Sequence, residues 1–288
     1  MNAWIIAIVT VIVAPFIGGL LAGIDRRITA RLQGRFGPPI LQPFYDFFKL
    51  LGKTRIAASR LQFIWIYGYL VFMVTALLFL VLKLDLLLLV FVIGFAGVSF
   101  ALGGFSSKSP YSHIGANREL MQMLAYEPVL LLFALGVFAQ NGSFLISEIF
   151  NNPTPLLARL WPIFIALLVV LTIKLRKSPF DLATSHHGHQ ELIKGIMTEY
   201  SGPYYALIQL TEWYEYVLLL GLVFIFWANP WWAGLIVAAI AYILELFIDN
   251  ITARMTVGWA VKFVWSVGLV LCVLNLIYFW LLPIKGVS

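Results

Sequence analysis

Eight apolar stretches, each long enough to cross a bilayer, take up most of this chain and leave it little else to fold. They run 3–24, 62–82, 85–103, 117–140, 157–175, 204–228, 231–249 and 257–282. About 20 apolar residues in a helix suffice to span the hydrocarbon. Only Lys83-Leu84 separates the second stretch from the third, which demands a tight turn. Asn229-Pro230 is the turn signal between the sixth and seventh, and Trp227, Trp231 and Trp232 flank it like an interfacial aromatic belt. A length of 288 residues would ordinarily suggest one or two soluble domains, but 62% are hydrophobic and 11% charged. Soluble domains carry about 25% charged residues. The expectation is an all-α integral membrane protein: one polytopic domain over 1–288, with about eight transmembrane helices, an interfacial amphipathic helix and structured cytoplasmic loops.

Basic residues orient these spans. Sixteen of the Lys and Arg residues fall on one set of connections, eight of them between Arg26 and Arg60, against Lys83, Arg159 and Lys285 on the other. The positive-inside rule then puts both termini outside and the long loops in the cytoplasm. The net charge of +6 is accounted for by those loops and needs no nucleic acid. No basic region precedes Trp4 and no small-residue cleavage site precedes Asp25-Arg26-Arg27, so the first stretch reads as a retained span. Residues 40–53 are too short to cross; their aromatic and leucine face beside Asp46, Lys49 and Lys53 suits a helix lying in the interface. Ser178-Pro179-Phe180-Asp181 reads as a turn feeding a short helix, because Pro restricts its predecessor and Asp caps well.

Glu127, Glu212, Glu215 and Glu245 lie within or at the margins of the apolar stretches. A carboxylate at membrane depth costs about 2.5 kcal/mol or more, so each is either a hydrogen-bonded packing residue or a functional one. Glu212 and Glu215 are three residues apart, on one helical face with Tyr214 and Tyr216 alongside. Two carboxylates that close do not readily stay ionised together, and a group that gains and loses a proton suits a relay. Glu245 and Asp249 are four apart on the seventh stretch. Glu127 stands between Tyr126 and Pro128, where the proline leaves a carbonyl unpaired and open to water. Glu119 either pairs with Arg118 or leads inward, and Glu119 and Asp249 also fit plain interfacial roles.

Other chemistries find less support. The lone cysteine, Cys272, supplies neither an iron–sulfur cluster nor an internal disulfide. His186-His187-Gly188-His189 with Glu191 lacks the spacing that puts two ligands on one helical face, so contact with a partner protein is the better reading and no metal is assigned. His113 reads as structural. The arginines between 26 and 35 suit anionic lipid head groups or an acidic protein surface. No phosphate loop, nucleophile elbow or dinucleotide fingerprint occurs in a fitting context, and Gly18-Gly19 and Gly103-Gly104 read as close helix contacts.

Three blocks carry a family resemblance. Asp25-Arg26-Arg27-Ile-Thr-Ala-Arg31-Leu-Gln33-Gly-Arg35-Phe-Gly37-Pro38, continuing to Leu41-Gln42-Pro43 and Asp46-Phe-Phe-Lys49, resembles the first loop of the eight-helix H-type subunit of respiratory complex I and of energy-converting membrane-bound [NiFe] hydrogenases. Gly115-Ala116-Asn-Arg118 through Tyr126-Glu127 is similar to a second block, and Ser178-Pro179-Phe180-Asp181 with Glu191 and Glu199-Tyr200-Ser201-Gly202 to a third. After Gly37-Pro38 the chain passes almost directly to Leu41-Gln42-Pro43, and its third loop reads Thr-Ser-His-His-Gly-His-Gln-Glu where complex I is acidic. Both departures resemble the ferredoxin-linked hydrogenase branch.

The resemblance implies a division of labour. The [NiFe] hydrogenase large and small subunits and a ferredoxin-like iron–sulfur subunit would carry the [NiFe] centre and clusters, with no cofactor in this chain. Antiporter-like membrane subunits would move H⁺ or Na⁺. Here Glu127, Glu212, Glu215 and Glu245 would form the relay, with Glu119 beside them and Asp181, Glu191 and Glu199 at its cytoplasmic mouth. Arg26, Arg27, Arg31, Arg35, Asp46 and Lys49, with His186, His187 and His189, would dock the soluble arm. A quinone-reducing or sulfane-reducing complex of the same superfamily is the alternative. A stand-alone cation transporter is the alternative of another class, but repeated halves with broken helices are missing from the sequence.

Overall fold

The computed structural model describes residues 3–54, 59–183 and 195–281 of the chain. Its helices are α1 (Ala3–Leu32), α2 (Gln42–Leu51), α3 (Arg60–Val81), α4 (Leu86–Phe105), α5 (Pro110–Asn141), α6 (Ile146–Asn151), α7 (Leu156–Arg159), α8 (Trp161–Lys174), α9 (Pro203–Phe224), α10 (Trp231–Ile251), α11 (Val257–Phe263) and α12 (Val270–Leu281). A π-helical segment, Val264–Leu269, joins α11 to α12 into one long rod. The architecture is the all-α integral membrane bundle that the apolar stretches imply, because a backbone in hydrocarbon satisfies its polar groups only within helices or closed barrels.

Among the described residues, seven stretches are long and apolar enough to cross: Ala3–Leu32, Leu61–Val81, Leu86–Phe105, Pro110–Asn141, Pro203–Trp227, Trp231–Ile251 and Val257–Leu281. The expected span 157–175 differs. It is split into the single turn α7 and the 14-residue α8, with the break at Leu160 (φ −104°, ψ 26°). Pro162 explains the split: lacking an N–H, it fits only the first turn of a helix, so α8 restarts there. At 1.5 Å per residue α8 is about 21 Å long, short of a hydrocarbon layer of about 30 Å.

Close backbone contacts assemble the bundle. A Cβ on Gly18 would come within 2.1 Å of the Trp213 carbonyl oxygen, so α1 and α9 touch main chain to main chain. A Cβ on Gly104 would meet that of Ala116 at 3.0 Å, drawing α4 against α5. These are the small-residue contacts that replace a hydrophobic drive between helices in lipid. The Lys83-Leu84 turn is tight, with Lys83 at φ 55° and the Asp85 carboxylate capping α4 through the N–H groups of Leu87 (2.8 Å) and Leu88 (3.0 Å). At the same end, Leu86 N–H donates to the Phe144 carbonyl and Ile146 N–H to that of Leu84, both at 2.9 Å.

The connections richest in Lys and Arg gather at the other end. Helix α2 lies there as the interfacial element, Phe44 and Phe47 packed on Trp213 of α9 at 5.1 and 5.4 Å between ring centroids. Tyr45 and Phe48 face outward, 58% and 66% exposed. Gly202, at φ 56° ahead of α9, fits because its missing side chain leaves room for the Thr54 carbonyl, 2.6 Å from where a Cβ would stand.

Candidate functional site

The site is built on the end of α8. The Arg176 N–H returns to the Ile173 carbonyl (3.0 Å) and the Lys177 N–H to that of Thr172 (3.1 Å), a double closure with Arg176 in the left-handed region at φ 53°. Glycine normally takes that position, since a Cβ there costs about 1–2 kcal/mol. The turn sends Lys174, Arg176 and Lys177 to three different carboxylates.

Lys174 Nζ stands 2.5 Å from Glu215 Oε1, both side chains 4% exposed. Tyr69 of α3 donates its hydroxyl to Glu215 Oε2 at 2.9 Å. Arg176 pairs with Glu212, one helical turn away on α9, and its guanidinium lies over the Phe100 ring at 4.6 Å. Lys177 Nζ reaches Asp25 Oδ2 of α1 at 3.0 Å, and the Tyr216 hydroxyl donates to the same oxygen at 3.2 Å. Lys174 also rests 5.4 Å from the centre of the Tyr126 ring. The expected Glu212/Glu215 face is therefore present, and each carboxylate has its own cation. Cations at a helix C-terminus are favoured by the helix dipole, and burial makes each pair interact far more strongly than at a surface.

A cavity of about 420 Å³ opens onto these pairs, lined among others by Asp25, Lys174, Arg176, Lys177, Glu212 and Glu215. A second, of about 410 Å³, lies toward α2; Arg26 and Gln209 line both. The two polar cavities thus adjoin at Arg26 and Gln209, between the interfacial helix and the ion pairs.

The other sequence candidates fall at different distances from this centre. Glu119 is 7% exposed and within electrostatic reach of Lys174 and Arg176. Glu127 is half-buried, subject to the Lys174 charge, with its carboxyl over Gly94 of α4. Glu245 is fully buried, and neither carboxyl oxygen accepts a hydrogen bond among the described residues. Thr172 is its polar neighbour, but that hydroxyl gives its one proton to the Leu168 carbonyl at 3.0 Å. Asp249 accepts from the Ser178 N–H at 2.8 Å and so holds the loop after α8.

Asp181 does not cap a helix among the described residues; its Oδ2 pairs with Arg254 Nη2 at 2.7 Å. Burial pushes its carboxyl above the usual carboxylate range, with Arg254 pulling the other way. Glu199 ends a 3₁₀ turn, Gly195–Glu199, half-buried and outside the lining of both cavities. Glu191, His186, His187 and His189 lie outside the described residues.

Among the docking candidates, Arg27, Arg31 and Arg35 are exposed, Arg31 lying 5.1 Å from the centre of the Phe36 ring. Arg26 is different: it bridges α1 to α2 through Asp46 Oδ2 at 3.2 Å and lines the cavities. Asp46 also takes Lys49 at 3.1 Å. Burial pushes the Asp46 carboxyl up, but Lys49, Gln42 and Arg26 together outweigh it and hold the group below its ordinary value.

Sequence reasoning counted Lys174, Arg176 and Lys177 only as orienting charges and passed over Tyr69. The available signal was three cations within four residues at the end of an apolar stretch, in a chain with buried acids awaiting counter-charges.

Known proteins align with this geometry along nearly the whole chain. The chain is 31% identical to formate hydrogenlyase subunit 4 of Escherichia coli (strain K12), over 90% of this chain and 92% of that protein. It is 30% identical to the H-type subunit of NADH-quinone oxidoreductase from Carboxydothermus hydrogenoformans, over 74% and 67%. A chain in the solved structure of the membrane-bound sulfane sulfur reductase, an archaeal respiratory membrane complex, superposes with a TM-score of 0.88 at 25% identity, covering 97% of this chain and 100% of that one. The sequence profile described as NADH dehydrogenase matches residues 4–280. This multi-pass chain therefore belongs to the NADH dehydrogenase family, as a membrane subunit of the kind found in complex I-like and hydrogenase-like oxidoreductase complexes.

Proposed function

We propose that this chain is the anchoring and coupling subunit of a ferredoxin-linked membrane-bound [NiFe] hydrogenase. Its soluble partners, the hydrogenase large and small subunits and a ferredoxin-like iron–sulfur subunit, pass electrons from ferredoxin to protons. Antiporter-like neighbours in the membrane move H⁺ or Na⁺. The large loops face the cytoplasm and both termini lie outside, in a prokaryotic cell membrane. The observation that carries the reading is the row of acid–base pairs, the buried Lys174–Glu215 and the partly buried Arg176–Glu212 and Lys177–Asp25, beside two polar cavities on the side that bears the exposed arginines.

In this reading a redox event in the soluble arm shifts the loop after α8. That loop holds Arg176 and Lys177 and starts from Lys174, so moving it re-pairs Glu212 and Glu215 and changes their proton occupancy. Glu119, Glu127 and Glu245 extend the path into the bundle. A second reading, reduction of sulfane sulfur, is supported by the superposition on the sulfane reductase chain.

Purification of the native complex tests both. Co-purification of a nickel-containing partner with ferredoxin-dependent H₂ evolution is expected. A nickel-free complex that reduces polysulfide instead replaces the first reading with the second. Ion flux by the isolated chain in liposomes would overturn both in favour of a stand-alone transporter.

A further inference from the structure

The second cavity has a charge that the coupling reading does not use. Arg26, Lys49 and Lys53 border it, and the single carboxylate among its lining residues, Asp46, already bridges Arg26 and Lys49. The lining thus keeps a surplus of two positive charges, and Lys53 meets no carboxylate among the described residues. The first turn of α9 opens on the same space, where Gly202 is the N-cap and no side chain caps the helix. This end adds the positive pole of a 22-residue helix. Tyr200 lines the cavity too, with its hydroxyl turned toward Gly103 of α4.

We propose that this cavity binds a phosphoryl anion, supplied by the head group of an anionic membrane lipid. Membrane depth selects the source. The cavity's cations flank α2, the interfacial helix: Lys49 is on it, Lys53 follows it and Arg26 faces it from α1. Its Tyr45 and Phe48 extend an exposed apolar surface alongside that acyl chains would cover. Anionic head groups are concentrated at that level, and the volume of about 410 Å³ accommodates a glycerophosphate unit. The bound lipid joins α1, α2 and the start of α9 through one anion. It does not depend on which electron acceptor the complex uses.

The test uses the complex purified in detergent and stripped of lipid, then titrated separately with dioleoylphosphatidylglycerol, dioleoylphosphatidylcholine and inorganic phosphate. Native mass spectrometry reads bound lipid and the unfolding midpoint reads stabilisation. Phosphatidylglycerol is expected to bind more tightly than phosphatidylcholine, and Lys49→Ala/Lys53→Ala to weaken it about thirtyfold. Both lysines are exposed, and Arg26 still holds Asp46 of α2 in the double variant. Lys262→Ala, an exposed lysine on α11, is the control and is expected to bind as the parent does. Phosphate that stabilises the parent but not the double variant, with no preference between lipids, keeps the anion site and moves its source to solution. Equal binding of both lipids without a phosphate effect overturns the site, as does an equal loss in Lys262→Ala.

Discussion

Lys174 and Glu215 meet at 2.5 Å with both side chains almost wholly buried, one closing α8 and the other midway along α9. Removing one member of a buried pair strands the other, at a cost of about 3–5 kcal/mol, whereas removing both costs far less.

Lys174→Met and Glu215→Gln are therefore each expected to lower the unfolding midpoint sharply, and the double variant to recover much of the loss. Denaturation in detergent across the four proteins measures the coupling. Additive losses would show that the two charges do not act as a pair.

Arg176 allows backbone and charge to be separated. Arg176→Gly and Arg176→Ala both delete the partner of Glu212, but only glycine suits φ 53°. The glycine variant is expected to be more stable than the alanine variant by about 1–2 kcal/mol. Both are expected to pump less than the parent while retaining electron transfer with an artificial donor. Full pumping in either would remove Glu212 from the coupling route.

Gly94 sets the room for Glu127. A Cβ there would stand 2.2 Å from Glu127 Oε1, so Gly94→Ala displaces the carboxyl. If Glu127 relays protons, Gly94→Ala and Glu127→Gln should reduce ion translocation to a similar degree, with the complex still assembled. Normal pumping in both would take Glu127 out of the path.

At low pH the anchorage of α2 should loosen. The Asp46 carboxyl has its folded-state pKa lowered, so its contribution to stability is complete above the unfolded value of about 3.9. That contribution is lost as pH falls through the lower folded-state value. Hydrogen exchange over residues 42–51, corrected for intrinsic rates, should therefore stay slow at pH 5 and accelerate below about pH 4. Asp46→Asn is expected to abolish the pH-dependent step.

Most of the bundle is legible from hydropathy, because lipid leaves an apolar stretch of that length one way to satisfy its backbone. Hydropathy could not show the break at Leu160: Leu156 to Ile173 is apolar but for Arg159 and Thr172, and Pro162 marks the restart. The acids were legible because they are rare in such surroundings. Their partners were not. Lys177 meets Asp25 across 152 residues of sequence, and a positive φ at an arginine leaves no compositional trace. The Ser178–Asp181 segment looked like a helix start because its cap-like aspartate gives no hint of Arg254, 73 residues on.

The shortness of α8 has an electrical consequence. Its cation-bearing end stops about 21 Å from its start, so a hydrated cavity would bring the aqueous phase inside the thickness of the membrane. The transmembrane voltage then drops across a thinner insulator. Moving one elementary charge through the full drop is worth about 2.3 kcal/mol per 100 mV, and here that work is concentrated over fewer ångströms. In the proposed relay, a proton stepping between Glu212 and Glu215 would sit at the edge of that steep drop, where the membrane's own voltage would bias which of the two holds it.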